Sequence, residues 1–360
     1  MTQEEFLAAL QERKEKVYSF LHREEFHARF QPEHIHDAIY SYMKGGGKSL
    51  RPAVLLFSCG AVGGEEERAV PAAAAVEIFH TWTLIHDDII DRDDRRRGGP
   101  TVHEEFRQRA ISELGYEPEE AIHYGLSIAI LAGDMQQGWS VAILATLADY
   151  GVDPRLALHL IYDAGMRVLS LLVDGELRDV QFSRWEIEAL NEDLVLEMLT
   201  KKTGILYEYA GKAGALIGLN TLDESHPYVR AISQFTRLCG TAFQLQDDIL
   251  GIVGDETALG KPVGSDIREG KRTTIVLHAY RQAQEAQRRF LQSVLGNPAA
   301  SREEIQETVR LLRELGGIEY TAGLARKFVS EALEHLDQLP ESYYRELLRF
   351  WAEFMIQREF

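Results

Sequence analysis

Asp87, Asp88 and Asp91 stand at i, i+1 and i+4. On a helix turning about 100° per residue, Asp87 and Asp91 lie almost one above the other and Asp88 one residue round. Carboxylates so spaced can clamp a hard cation such as Mg2+, which keeps several waters and shares itself with substrate phosphates. His80 and Thr83 fall near the same stripe. A solvated acidic helix end followed by arginines would carry the same spacing with no ligand. The flanks weigh against that reading, because Ile78, Phe79, Trp82, Leu84, Ile85, Ile89 and Ile90 surround the acids. Clustered negative charge in an apolar setting is costly unless cations compensate it.

A second aspartate pair, Asp247 and Asp248, sits in another apolar stretch, with Gln244 three residues before Asp247 and so on its face of a helix. Two such sites far apart in sequence are hard to explain as surface decoration. Cations are scattered between and around them: Lys48 and Arg51 after Gly45-Gly46-Gly47, Arg95 to Arg97 after the first acids, Lys202 beside Thr203, and Lys261 in a glycine-rich loop. Gly-Lys-Ser at 47–49 suggests a nucleotide-binding loop, but the position that would need its first glycine is Tyr42 and no strand leads into it. Lys48 and Arg51 beside the amides of a helix start instead suit a phosphate or diphosphate. Two acidic motifs with dispersed cations describe a pocket in which divalent metals hold a diphosphate and make it a leaving group. The remaining lining is apolar, which suits a hydrocarbon tail.

The elements that must hold these residues are helical nearly throughout, with amphipathic periodicity over 3–29, 34–44, 124–150, 154–182, 192–219, 228–253 and from 274 onward. No β alternation of useful length and no internal repeat is present. With 360 residues and no Pro/Gly/Ser-rich linker, one all-α domain over 1–360 is expected. A net charge of −18 excludes nucleic acid as a partner. Two cysteines, Cys59 and Cys239, are too few for a disulfide framework or thiolate metal site. The first residues lack a basic, apolar export signal, and no apolar run of about 18 residues is expected to cross a membrane. A cytoplasmic location follows as the default.

The motifs, in their order, closely resemble the trans-isoprenyl diphosphate synthases, the polyprenyl synthetase family. The resemblance rests on Gly-Gly-Lys-Ser-Leu-Arg-Pro at 46–52, His80, the acids at 87–91, Arg96-Arg97-Gly98, Lys202-Thr203, Gln244 with Asp247-Asp248, and Lys261. It implies a single-domain bundle of long helices around a deep central cavity, usually a homodimer. It also implies that Asp87, Asp91 and Asp247 hold three Mg2+ ions on an allylic diphosphate, assisted by Arg96, Lys202 and Lys261. Lys48, Arg51, His80 and Arg97 would bind isopentenyl diphosphate, Thr203 and Gln244 would stabilise the allylic cation, and Asp88 and Asp248 complete the motifs. The family's second motif ends on a third aspartate, where this chain has Gly251. Asp255 could partly compensate. Trp82 and Thr83, one turn upstream of the first motif, would set the floor for the growing product. One aromatic there, with no insertion in the motif, implies a C20 product, with C15 the alternative. A terpene cyclase and a non-catalytic subunit of a heteromeric synthase are the competing readings; the cyclase's usual Asn-Asp-x-x-Ser-x-x-x-Glu motif is absent, and only Gly251 supports the subunit.

Overall fold

A computed structural model describes residues 1–44, 47–253 and 264–357. Its contacts group into two compact units, each assembled from separate sequence segments: Met1–Tyr162, Ala210–His226 and Ser342–Leu347 in one, Asp163–Tyr209, Pro227–Glu341 and Leu348–Phe360 in the other. In chain order the helices are α1 (Gln3–Leu21), α2 (Glu24–His27), α3 (Glu33–Lys44), α4 (Leu50–Ala61), α5 (Glu66–Asp91), α6 (Val102–Leu114), α7 (Pro118–Ala145), α8 (Pro154–Tyr162), α9 (Leu169–Phe182), α10 (Glu192–Leu199), α11 (Ile205–Leu219) and α12 (Pro227–Val253). After them come α13 (Ser265–Glu269), α14 (Thr274–Gln282), α15 (Glu285–Val294), α16 (Arg302–Glu314), α17 (Gly317–Leu336) and α18 (Tyr343–Ile356).

The first unit is built on α5, whose 26 residues extend for roughly 39 Å. The run Ala72 to Ala75 is fully buried, and its small side chains bring the neighbouring α1, α4 and α7 close. A capping box fixes the start of α1, Thr2 accepting from Glu5 N while the Glu5 carboxylate accepts from Thr2 N. The expected opening helix over 3–29 is broken: α1 ends at Leu21, and the chain turns so that Phe26 and Phe30 pack on Trp139, with ring centroids 5.3 and 5.0 Å apart. The only strands among the described residues, β1 (Arg95–Arg96) and β2 (Gly99–Pro100), pair antiparallel just after α5. Both intervening residues have positive φ, Arg97 at 52° and Gly98 at 79°, the backbone a two-residue type I′ hairpin turn requires.

In the second unit α12 packs along α17, and the core gathers Ile249, Ile252, Ile267, Ile275, Leu291 and Leu312. Tyr207 and Phe235 pack against Trp351 at 5.6 and 5.9 Å. Two wider π turns interrupt the helical register, at Asp163–Val168 and at Thr200–Gly204.

One stretch meets the length and composition of a bilayer-crossing helix, as core helices also do, and it does not make a clear membrane span. The stretch Pro154–Phe182 is long and apolar enough, by length and composition, to cross a bilayer, with a mean hydropathy of 1.5 over its best window. Between Leu156 and Val173 the only Asp, Glu, Lys or Arg residues are Asp163 and Arg167, and these two form a forked ion pair at 2.6 and 3.0 Å. Cys59 and Cys239 are both buried and free. Burial pushes the Cys59 thiol up to about 12 and Cys239 well above its ordinary value.

Candidate active site

The first acidic motif occupies the last turns of α5. Asp87 and Asp91 are half-buried, whereas the Asp88 side chain is fully buried. The rotation of one residue thus separates two open carboxylates from one that belongs to the protein interior. Asp88 receives Arg96 through Nε at 2.7 and 2.9 Å and through Nη2 at 2.6 Å, and Tyr42 donates its hydroxyl to Oδ2. Arg96 Nη2 also reaches Asp87 at 3.2 Å. The hairpin makes this possible, because it folds Arg96 back onto the helix that precedes it. Tyr42 accepts from Val102 N at 3.2 Å, tying α3 to the start of α6. Burial raises the Asp88 carboxyl above its ordinary value, with Arg96 opposing. Arg96 and Asp88 are therefore a buried charge pair that anchors the motif.

Four expected diphosphate ligands lie in the same unit. Arg51 Nη1 lies 3.1 Å from His80 Nε2, and since a guanidinium can only donate, the imidazole accepts there. Burial, then Arg51, Arg97 and Arg96, holds His80 well below its usual value, so the ring is neutral. The Arg97 guanidinium lies against Gly47, where an added Cβ would come within 2.9 Å of Nη1. The turn into α4 carries Ser49 in the left-handed region (φ 47°), with its hydroxyl donating to the buried Glu77 at 2.9 Å. Tyr18 also donates to Glu77, at 3.2 Å. Lys48 is exposed on that turn. Arg51, His80 and Arg97 thus form one basic cluster, next to Lys48 in the chain.

Upstream on α5, Trp82 is half-buried, edge-on to Phe79 at 5.0 Å and to His86 at 5.8 Å. Thr83 is half-buried and donates to His80 O at 2.8 Å. Gly133 of α7 leaves the room that the His86 ring fills, since any Cβ there would collide with it. Asp134, beside it, is exposed.

The second unit holds the remaining residues. The π turn Thr200–Gly204 carries Lys201, Lys202 and Thr203, and such bulges re-aim side chains that a regular helix would place elsewhere. Lys202 Nζ contacts Glu176 at 3.0 Å and Asp179 at 2.7 Å on α9. Lys201 binds Asp174 and Glu197. The close approach of α9 needs Gly175, whose added Cβ would meet the Lys202 backbone nitrogen. The three acids of α9 thus each contact one of the two lysines.

Thr203 donates to Gln244 Oε1 at 2.7 Å, and Gln244 Nε2 donates to Asp248 Oδ1 at 3.0 Å. The chain fixes the amide orientation. Asp248 is buried, and its Oδ2 has no hydrogen-bond partner. Burial pushes its carboxyl well above the ordinary range, with Asp266 and Asp179 adding to the rise. Asp247 is half-buried. Buried carboxylate oxygens left unsatisfied are rare and costly, and a divalent cation relieves both problems at once. The donor set, carboxylates alone, fits Mg2+ rather than a thiolate- or imidazole-seeking metal. Lys261 and Asp255 lie outside the described residues. Tyr42, Glu77 and Asp266 were not foreseen as partners of the motifs; only their place in the fold reveals them.

The Polyprenyl synthetase family profile matches residues 32–312. A geranylgeranyl diphosphate synthase of Sulfolobus acidocaldarius is 37% identical over 328 residues, covering 90% of this chain and 91% of the relative. A geranylgeranyl pyrophosphate synthetase crystal structure from Pyrococcus horikoshii superposes with a TM-score of 0.82 at 34% identity, covering 99% of each chain. A geranylgeranyl pyrophosphate synthase from Corynebacterium glutamicum, complexed with isoprenyl diphosphate and magnesium, gives a TM-score of 0.83 at 27% identity over 100% of each chain. The all-α fold is that of the isoprenoid synthases, and the chain belongs to the polyprenyl synthetase family of prenyltransferases, the trans-isoprenyl diphosphate synthases.

Proposed function

We propose that the protein condenses isopentenyl diphosphate with allylic diphosphates of C5 to C15, releasing a C20 product, geranylgeranyl diphosphate. The observation that carries the reading is the Arg51–His80–Arg97 cluster close in structure to Arg96 and its acids, two charge environments that one diphosphate substrate alone would not need. Lys48, Arg51, His80 and Arg97 bind the isopentenyl diphosphate. Neutral His80 accepts from Arg51 and so orients the guanidinium, leaving its other N–H groups for phosphate oxygens.

Asp87, Asp91 and Asp247 would hold the Mg2+ ions, three of them expected, on the allylic diphosphate, with Arg96, Lys202 and Lys261 assisting. When bound, the metal neutralises the charge that accumulates on diphosphate as it leaves. Thr203 and Gln244, held in place through Asp248, direct their oxygen dipoles at the allylic cation once its C–O bond opens. The isopentenyl double bond attacks that carbon, and the departing diphosphate takes the proton. Trp82 blocks the end of the product channel with Thr83 beside it.

We read 1–360 as one polyprenyl synthetase domain around a deep cavity, since its two units alternate along the sequence. We further propose a homodimer: α7 exposes Ile122, Ile130, Leu131 and Met135, a concentration of large apolar side chains that a partner would cover. Free buried cysteines and acidic charge support a cytoplasmic enzyme.

The test is to incubate the purified protein with Mg2+, isopentenyl diphosphate and each of the C5, C10 and C15 primers, and to size the products by mass spectrometry. A C20 diphosphate from all three supports the proposal. A cyclic hydrocarbon would indicate a cyclase, no turnover a non-catalytic subunit, and a product that stops at C15 a farnesyl diphosphate synthase.

A further inference from the structure

The second acidic motif breaks its family's pattern at Gly251, and the space left there is filled. A Cβ built on Gly251 would stand 2.5 Å from Oδ2 of Asp266 and 3.3 Å from its Cγ. No side chain fits at 251 while Asp266 stays where it is. The carboxylate comes from α13, whose backbone is pinned on both sides. Gly264 and Gly270 take positive φ of 83° and 78°, and the amides of Gly270 and Lys271 both donate to Asp266 O, at 3.0 and 2.9 Å. Ile267 is buried in the core and its carbonyl accepts from Gly296 N at 2.9 Å. Such support holds a side chain in one place rather than letting it wander.

We propose that Asp266 supplies the third carboxylate of the second acidic motif, standing in from α13 for the aspartate that Gly251 lacks. The motif is then complete in space though interrupted in sequence, as Asp247 and Asp248 on α12 and Asp266 across from Gly251. An independent feature points the same way: the buried Oδ2 of Asp248 has no hydrogen-bond partner, so one oxygen of this acid set is left for a cation to meet. Lys271 Nζ, 3.9 Å from Asp266 and 3.2 Å from Glu269, limits the repulsion among the acids. The inference rests on the synthase reading for the identity of the ligand, Mg2+ with a diphosphate.

The experiment separates the two. Thermal stabilisation is measured as Mg2+ is titrated in the presence of inorganic diphosphate, with no turnover required, on wild type, Asp266→Asn, Gly251→Asp and the double variant Gly251→Asp/Asp266→Gly. Asp266→Asn is expected to raise the Mg2+ concentration for half-maximal stabilisation by about 10- to 100-fold, the range found when a metal's supporting carboxylate is lost. Gly251→Asp alone is expected to impair binding as much, because its Cβ meets Asp266. The double variant, which moves the acid back onto α12, returns to within a few-fold of wild type. An unchanged Mg2+ requirement in a folded Asp266→Asn protein overturns the inference, as does tighter binding in Gly251→Asp. If Asp266→Asn fails to fold by circular dichroism, the other pair decides: a double variant no better than Gly251→Asp overturns it. Wild-type protein that binds Mg2+ and diphosphate but makes no prenyl diphosphate would sink the synthase reading and leave the Asp266 test standing.

Discussion

The two acidic motifs look alike in sequence and differ in how their charge is balanced. On α5 the interior aspartate, Asp88, is met by an arginine and a tyrosine hydroxyl, so the protein neutralises it unaided. On α12 the corresponding aspartate, Asp248, has only an amide donor on one oxygen and nothing on the other, with further acids nearby. The interior acid of the first motif is therefore balanced within the protein. The second leaves one oxygen of its buried acid without a hydrogen-bond partner.

The comparison can be broken most sharply by removing open carboxylates. Asp87→Ala and Asp247→Ala are each expected to lower kcat by about 10²- to 10³-fold, the usual cost of losing one group that stabilises developing charge. Steady-state rates on C15 primer measure it, and a loss below tenfold for either would mean that the motif does not hold the metal. Next, Arg96→Ala strips a buried carboxylate of its cation and should cost about 3–5 kcal/mol of stability by denaturant unfolding. Gln244→Leu removes only a neutral donor from Asp248 and should cost about 1–3 kcal/mol. Equal costs for the two would erase the distinction drawn between the motifs.

Smaller effects sharpen the surroundings. Trp82→Ala should shift products beyond C20 with little change in total turnover, as read by mass spectrometry; products no longer than wild type would remove Trp82 from the channel floor. His80 gives a pH signature. Its folded-state value lies below the ordinary one of about 6.5, so as pH falls below that point the unfolded chain takes up a proton that the native ring refuses. The neutral ring's contribution to stability is present above that window and is lost as pH falls through it. His80→Gln should flatten the decline between about pH 6.5 and 5 in thermal unfolding; an identical decline would show the ring is not held neutral.

The helical framework and both acidic motifs were legible because periodicity and spacing are local properties. The grouping of Arg51, His80 and Arg97 was legible only through resemblance, since nothing in 51, 80 and 97 as numbers predicts that a guanidinium will donate to an imidazole. Three features stayed hidden. The π turn at Thr200–Gly204 looks like uninterrupted helix in sequence, because one extra residue per turn leaves the apolar pattern nearly intact. The turn at Arg97–Gly98 was masked by a charge run that reads as solvated loop. Asp266 closed a glycine-rich segment with no sign of a partner, and only the notch at Gly251 shows where its side chain goes. The break of the expected first helix at Leu21 has the same origin, as it is the distant Trp139 that draws Phe26 and Phe30 off the helical path.

The two buried thiols have a practical consequence. A thiol raised to about 12 is almost entirely protonated at neutral pH, and only the thiolate reacts with maleimides or iodoacetamide. Cys59 and Cys239 are therefore silent toward labelling reagents as long as the protein stays folded. A single cysteine placed at an exposed position outside the proposed binding residues, such as Lys44, would carry a fluorophore without first stripping the native ones. Binding of an added diphosphate could then be sought as a change in emission, in a protein whose core has not been altered to make the measurement.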